Sequence, residues 1–558
     1  MTEKRLSAKP HIPVDTVQDP ELFFGLVGPM GTNVSAAVEA LKEALIDWHY
    51  GLEEIVISSL VKGRPLFGNY QNNLPIDEHY TEAIAACNLA RTKLNTLDAM
   101  VQMAISEVQI RRARLNGDLE VPANRVKPIK RMAYVFKSLK LPEEITTLRR
   151  LYGSAFFVIS IHSHPEARRR ALAERIKESH ADADFKDKQH ELAERLVAQD
   201  EYEGGSGQNV RSAFPEADYF TATDKPEDLK ASIRRLINTI FRHPFVTPSK
   251  LELAMAHART ASMRSADLSR QIGAAIINDD GDLIAVGCND VPRPGGGQYF
   301  EGESDDSRDY LLSYDPNDKF KQYVISEFLG RMKRGWLAGD LANMTPEELF
   351  KRASRSKQYA FLDESRVDNL IEFGRIMHAE MAAITDAARR GVSLKGTTLV
   401  CTTFPCHMCA RLIIGSGITR VYYIEPYTKS LTQQLYSQQI VVDPEVDVSG
   451  RVSFQPFFGV APRRFFDLFT MKKQMRKDSS TGKVLPMNRE GQPRVEILNT
   501  AYVNTETSIA FRVGQAIDVL ERQAKKNKAN RSRKQANRKK QNQFKKAKKQ
   551  QNSRRKNI

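Results

Sequence analysis

The chain has 558 residues, more than one ordinary domain holds, and that length predicts two to four domains. It is 41% hydrophobic and 27% charged, with no apolar run near the ~20 residues of a membrane helix, so no membrane span is expected; the opening stretch does not read as a secretory signal, and five cysteines argue against a disulfide framework and fit a reducing cytoplasm. Seventeen Lys or Arg and no acid lie from Arg522 onward, so the net charge of +16 falls to −1 over residues 1–521, and the basic character belongs to one end rather than to the folded body.

The first ordered segment begins near Glu21. LFFGLVG predicts a buried strand, and Val34, Val38, Leu41 and Leu45 recur at helical spacing after it. EEIVISSLV follows as a second strand. Strand, glycine loop, helix, strand is how phosphate-binding α/β domains open. The loop is a degenerate Walker motif: Gly28 and Gly31 are present, but Thr32 and Asn33 stand where Lys and Ser/Thr belong. Phosphoryl transfer is therefore not expected. Backbone amides around Gly28, Gly31 and Thr32 can still hold a nucleotide phosphate, and a tight glycine turn is the plainer alternative. SAFFVISIHSH predicts a further strand, followed by a helix from PEARRR. His162 and His164 could bind metal, but with no nearby Cys or carboxylate to complete a set they read more often as turn or edge histidines, and Arg168, Arg169 and Arg170 could form a phosphate-facing lid, although a solvated helix face is the commoner explanation. This domain spans 20–245.

A second domain, 247–475, opens with Thr247 as an expected N-cap and Pro248 at the first helical position. QIGAAIIND and DLIAVGCND flank Asp280-Gly281 and predict a hairpin. An insertion follows over 291–373. Its acidic cluster Glu301, Glu303, Asp305 and Asp306 can hold Mg2+ for a nucleoside triphosphate, although a hydrated acidic loop is the commoner explanation. After Phe373 the pattern runs helix, strand TTLVCTT, loop, helix, strand RVYYIEP.

That last stretch carries the chemistry. His378-Ala-Glu380 and Cys406-His-Met-Cys409, the latter preceded by Pro405, supply three zinc ligands and one carboxylate that is not a ligand. His378, Cys406 and Cys409 would bind Zn2+ and leave a fourth position for water. The metal lowers that water's pKa, and Glu380 moves its proton. A redox C-x-x-C needs no His-Ala-Glu, and a structural zinc site needs a fourth ligand, whereas Cys288 and Cys401 sit singly in strand-like runs. The pattern predicts hydrolytic deamination of a nucleobase. Beyond it lie an extension, 476–521, and a basic tail, 522–558. The tail has too little apolar surface to fold, is expected to be disordered, and suits contact with RNA or DNA.

Residues 247–475 resemble the cytidine deaminase superfamily on its deoxycytidylate deaminase side, through RSADLSRQIGAAIINDDGDLIAVGCNDVP, the zinc motif and YYIEPYTKSL. With FQPFFGVAPRRFFDLF and the front domain, the chain resembles bacterial antiphage deoxycytidine-nucleotide deaminases. The resemblance implies an α/β protein: a P-loop-kinase-like α/β domain, then a three-layer α/β/α domain with a mixed five-stranded sheet. It also implies dCTP or dCMP as substrate, depletion of the dCTP pool in antiviral defence, homo-oligomers, and a regulatory small RNA as partner of the tail. By similarity Ala379 orients the pyrimidine, Asn289 contacts the sugar hydroxyl, and Arg264 and Ser265 lie near the phosphates. Three rivals share the motif: a deaminase of tRNA or single-stranded DNA, a nucleotide-sensing regulator with a dead site, and an active kinase fused to a deaminase. The near-neutral body argues against the first, the intact Glu380 against the second, and the missing Walker lysine against the third.

Overall fold

The computed structural model describes residues 17–555 apart from 69, 72, 118–125, 181–187, 334, 356–361, 363–364, 366, 368–369, 371, 428–429, 445–447, 472–475, 487–488 and 496–500. The chain forms two compact units, one from residues 1–246 with 471–558 and one from 247–470. The extension at 476–521 thus joins the first unit rather than standing apart. Among the described residues no helix is long and apolar enough to cross a membrane.

In the first unit, strands β1 (Leu22–Val27), β2 (Gly51–Val56), β3 (Met132–Lys137), β4 (Phe156–His162) and β5 (Tyr219–Ala222) run parallel in the order β5-β4-β1-β3-β2. All six residues of β1 are buried, as a central parallel strand covered on both faces requires. Its carboxyl end delivers the Gly28–Asn33 loop. Asn33 then caps the helix Val34–Ile46 by accepting from the Ala36 amide at 3.2 Å.

The last helix, Ala501–Arg555, packs on the same unit through Val503, Val513 and Ile517. Its Glu506 is fully buried and meets Arg112 of the helix Ala99–Asn116, with Nη1–Oε2 at 2.5 Å. Arg112 also takes Glu21, ahead of β1, through Nε at 2.9 Å and Nη2 at 2.8 Å. Tyr152 donates to Glu506 and Tyr502 to Glu21, each at 2.9 Å. Burial by itself would lower the guanidinium's pKa, but the charges of Glu506 and Glu21 hold it well above its ordinary value.

The helix corrects one expectation. The tail, read as disordered, continues it to Arg555. No Gly or Pro follows Gly514, Lys, Arg, Gln and Ala are good helix formers, and the docked turns supply the nucleus that an isolated tail lacks. From Arg522 to Gln543 every side chain is exposed, so no packing marks this stretch as helical in sequence.

The second unit has a mixed sheet of β6 (Gly273–Ile277), β7 (Leu283–Cys288), β8 (Thr398–Thr403), β9 (Arg420–Glu425), β10 (Ile440–Val442) and β11 (Val452–Pro456), in the order β10-β11-β9-β8-β6-β7. The hairpin β6–β7 and the pair β6–β8 are antiparallel; the other pairs are parallel. Six strands replace the five expected. The extra one, β10, is a three-residue run at the edge, too short to show a period. Two glycines fix the layers. A Cβ on Gly273 would lie 1.8 Å from the Ala258 carbonyl oxygen, and one on Gly287 2.2 Å from that of Ala379. Gly287 pairs with Ala274, the neighbour of Gly273, so the two glycines face opposite sides of the sheet. The helices Lys250–Ser262 and Ala379–Arg389 therefore flank it, giving three layers.

The first of these helices starts later than Thr247-Pro248 suggested. Ser249 is its N-cap, because Glu252 completes a capping box: Ser249 N–H donates to Glu252 Oε2 at 2.7 Å and Glu252 N–H to Ser249 Oγ at 3.2 Å. The insertion forms helices Pro316–Met332, Asp340–Asn343 and Pro346–Arg355, with a small core of Ile325, Leu329, Leu349 and Ala353.

Glu506→Ala should destabilise the first unit by about 3–5 kcal/mol, since it strips a buried arginine of one counter-charge. Urea unfolding checks this, with Val519→Ala at an exposed position of the same helix shifting stability by no more than about 0.5 kcal/mol.

Candidate metal and active site

Two helix starts converge in the second unit. His378 is the N-cap of the helix Ala379–Arg389, and Cys406 is the N-cap of the helix His407–Gly415, whose third residue is Cys409. A two-residue bridge sets the first start: Met377 N–H donates to Asp290 O at 3.0 Å, and Asp290 N–H to Met377 O at 3.2 Å. His378 Nδ1 lies 3.2 Å from Cys406 Sγ and 3.3 Å from Cys409 Sγ, and the two sulfurs are 3.7 Å apart. A tetrahedral zinc, with bonds of about 2.3 Å to sulfur and 2.0 Å to nitrogen, sets sulfurs about 3.8 Å apart and sulfur from nitrogen about 3.5 Å. The donor set and spacing fit Zn2+. Among the described residues this is the one group of three or more ligand atoms gathered in this way. The acidic cluster proposed for Mg2+ is not so gathered: Glu303 pairs with Arg293 at 2.8 Å and Asp306 with Arg308 at 2.7 Å.

The three ligands polarise one another. A hydrogen bond from Cys409, opposed by burial and joined by one from His378, holds Cys406 at about 4. Burial works against the His378 cation, but its hydrogen bond to Cys406 and that residue's charge raise it to about 9. Burial and its hydrogen bond to Cys406 push the Cys409 thiol well above its ordinary range, so a bound metal would have to displace its proton, and the helix N-terminus at which both sulfurs sit favours that. Glu380, one residue into its helix, is 4% exposed, and burial followed by the charge of Cys406 pushes its carboxyl above the ordinary range. His378, Glu380 and Cys406 line a cavity of about 380 Å3 together with Thr403, Phe404 and Tyr427. Two of the three ligands lining a cavity, beside a buried carboxylate that also lines it, suit activation of water.

The substrate residues read from the sequence are placed unequally. Asn289 lines the cavity, but its side-chain amide is engaged: Oδ1 accepts from Ile272 N–H and Nδ2 donates to Arg270 O, each at 2.7 Å. Ser265 Oγ donates to Asn289 O at 2.6 Å. Arg264 bonds Gln298, stacks 4.6 Å over the Phe300 ring, and does not line the cavity. Ala379 is fully buried at the helix start. Sequence reasoning passed over Phe404 and Tyr427, although Phe404 stands directly before Pro405. It also missed Arg270 and Lys321, which line the same cavity.

In the first unit, Gly28, Gly31 and Thr32 border a separate cavity of about 590 Å3. The loop amide of Met30 donates to Asp200 Oδ2 at 2.7 Å, and Lys140 bridges Asp200 at 2.7 Å and Gly28 O at 3.1 Å. Gly31 has φ +88°, and a Cβ there would meet the Arg168 carbonyl oxygen at 2.6 Å. Arg168, read as solvated, is buried: it reaches Met30 O at 3.4 Å and Glu201 at 3.2 Å. The arginine run on this helix hides its first member against the loop.

Residues 248–425 match the family model described as the cytidine and deoxycytidylate deaminase zinc-binding region. ComE operon protein 2 of Bacillus subtilis (strain 168) is 39% identical over 75 residues, 13% of this chain and 40% of that protein. The deoxycytidylate deaminase of Enterobacteria phage T2 is 46% identical over 54 residues, 10% of this chain and 29% of that protein. A probable deoxycytidylate deaminase of Drosophila melanogaster is 26% identical over 170 residues, 30% of this chain and 56% of that protein. The chain thus spans 29% to 56% of the length of these relatives. The second unit carries a deaminase-type zinc-binding region, and its His378–Cys406–Cys409 group lies within the matched residues.

Cys406→Ser should lose zinc while the first unit stays folded, as read by metal analysis and by a two-step melting curve. The intact protein should also release zinc as pH falls, because the thiolates and the imidazole regain protons; full zinc content after dialysis at about pH 4 would contradict that linkage.

Proposed function

We propose that the protein is a zinc-dependent hydrolase that deaminates a deoxycytidine nucleotide: water adds at C4 and the amino group leaves as ammonia, giving the deoxyuridine nucleotide. The supporting observation is the buried Glu380 in one cavity with His378 and Cys406, two members of the gathered three-ligand group. Bound zinc supplies Lewis acidity at the foot of that cavity. Glu380 takes a proton from the attacking water and places it on N3, then takes the remaining proton from the new C4 hydroxyl and delivers it to the amine, which leaves as ammonia as the C4 carbonyl forms; its raised pKa suits a group that must hold a proton midway. Phe404 and Tyr427 wall the cavity and keep out bulk water. Asn289 holds the 270–272 backbone and Ser265 holds the Asn289 carbonyl, a stretch we assign to the sugar, as we assign the backbone at Ala379 to the ring.

In a cell this chemistry draws down the deoxycytidine nucleotide pool, and we propose that it does so against phage. The exposed basic helix from Arg522 is the surface we assign to a regulatory RNA, since ten Lys and Arg between Arg522 and Gln543 face water. The same helix favours a second reading, deamination of a single-stranded polynucleotide.

Zinc-loaded protein incubated with dCMP, dCTP, CTP and a single-stranded oligodeoxynucleotide should convert the deoxycytidine nucleotides; conversion of the oligonucleotide alone would install the second reading. Glu380→Gln should keep its zinc and lose turnover by at least about 100-fold, because only proton transfer is removed. Deleting residues 522–558 should abolish salt-sensitive RNA binding in a gel-shift assay, and unchanged binding would remove the RNA from the scheme.

A further inference from the structure

The insertion contains one helix that is apolar on two sides. On Pro316–Met332, Ile325 and Leu329 are buried with Leu349 and Ala353 in the insertion's small core. A different side of the same helix carries Phe320, Val324 and Phe328 at successive steps of four, which is one continuous stripe, with Tyr323 beside it. Phe320 is 55% exposed, Tyr323 65%, Val324 39% and Phe328 63%. A surface helix ordinarily turns polar residues to water on the side away from its core. Among the described residues, none of these four packs in the insertion's core. Three aromatic side chains of about 200 Å2 each, exposed to this extent, offer with the valine roughly 400 Å2 of apolar surface. With apolar atoms making up about 60% of an interface, that corresponds to about 700 Å2 per partner, close to the ~800 Å2 of a stable complex.

The stripe is also palindromic. Reversed about Val324, Phe320 falls on Phe328, and the smallest of the three side chains stands at the centre. A two-fold contact requires a patch that meets its own copy, and two helices approach most closely where their side chains are smallest. Charge agrees with this. Asp315, Asp318 and Glu327 balance Lys319, Lys321 and Arg331 along the segment, so two copies meet without net repulsion, whereas a polyanion or an anionic membrane would find no basic rim. We propose that two copies of the chain pair through this face, their Pro316–Met332 helices antiparallel and related by a two-fold axis at Val324. The interface belongs to the insertion and not to the six-stranded sheet or the helices that flank it, and it does not depend on the deaminase reading.

Sedimentation equilibrium on the zinc-loaded, full-length protein should show association into an even number of copies. Phe328→Glu should weaken that association at least about 100-fold, because the two-fold axis repeats each substitution and each copy buries an unpaired charge. Ile46→Glu, at an exposed position of the first unit, should leave it unchanged. Val324→Cys tests the axis itself by setting a thiol against its own copy. The five native cysteines are buried, so a short bis-maleimide should join Val324→Cys chains into covalent pairs and leave the unsubstituted chain and an Ile46→Cys chain single. A protein that stays monomeric, association that Phe328→Glu does not touch, or the absence of covalent pairs from Val324→Cys would each overturn the pairing. Zinc content and circular dichroism identify a variant that has misfolded; if Phe328→Glu does so, the cross-link, which needs no loss of association, decides.

Discussion

Everything in the second unit serves the meeting of two helix starts. His378 and Cys406 are 28 residues apart and in different parts of the sheet's connections, yet their ligand atoms lie 3.2 Å apart. Such closeness cannot be left to flexible loops. It follows from how tightly each helix is seated. Gly287 lets the Ala379 backbone rest directly on β7, and the bridge between Asp290 and Met377 fixes the residue just before His378. β8, separated from β7 by β6, then feeds the second helix. A side chain at Gly287 would lift one helix away and separate the ligands before it disturbed any ligand itself. The mutual polarisation of the cysteines and the histidine is the electrical counterpart of this close seating.

Much of this unit was legible because its signals are local and chemically specific. Two cysteines three residues apart, a histidine and a glutamate two apart, and a proline before the first cysteine have few structural meanings. Asp280-Gly281 between apolar runs could only be a turn. What escaped was set by contacts distant in sequence. The three residues of β10 gain strand character only by pairing with β11. Thr247 lost the cap position to Ser249 because Glu252 reciprocates, a partnership visible in the letters but outweighed by the attraction of Thr-Pro. Arg270 and Lys321 share a cavity across 51 residues of sequence, and no motif joins them. In the first unit, Arg168 looked like one of three surface arginines because helical phase alone does not show which of them faces a glycine loop.

That loop deserves its own reading of charge. An amide at the end of a central parallel strand, next to a helix start, is where an anion ordinarily binds. Here the anion at Met30 is Asp200, fully buried and held by Lys140. The glycine at position 31 serves a close approach of the Arg168 backbone. The resemblance to a Walker loop is therefore a resemblance of backbone course, and the chain has built a carboxylate into the space that backbone course favours for a phosphate.

The first unit is interrupted in sequence by the whole of the second, and its buried arginine gives that arrangement a temporal meaning. Arg112 and Glu21 are both made early; Glu506 follows only after residues 247–470. During synthesis the nascent first unit therefore holds a guanidinium with half its counter-charge and a groove without its covering helix. The deaminase-type unit, continuous in sequence, is complete before that partner arrives. A chain released between the two would carry a complete metal-binding unit beside a first unit whose Arg112 lacks Glu506.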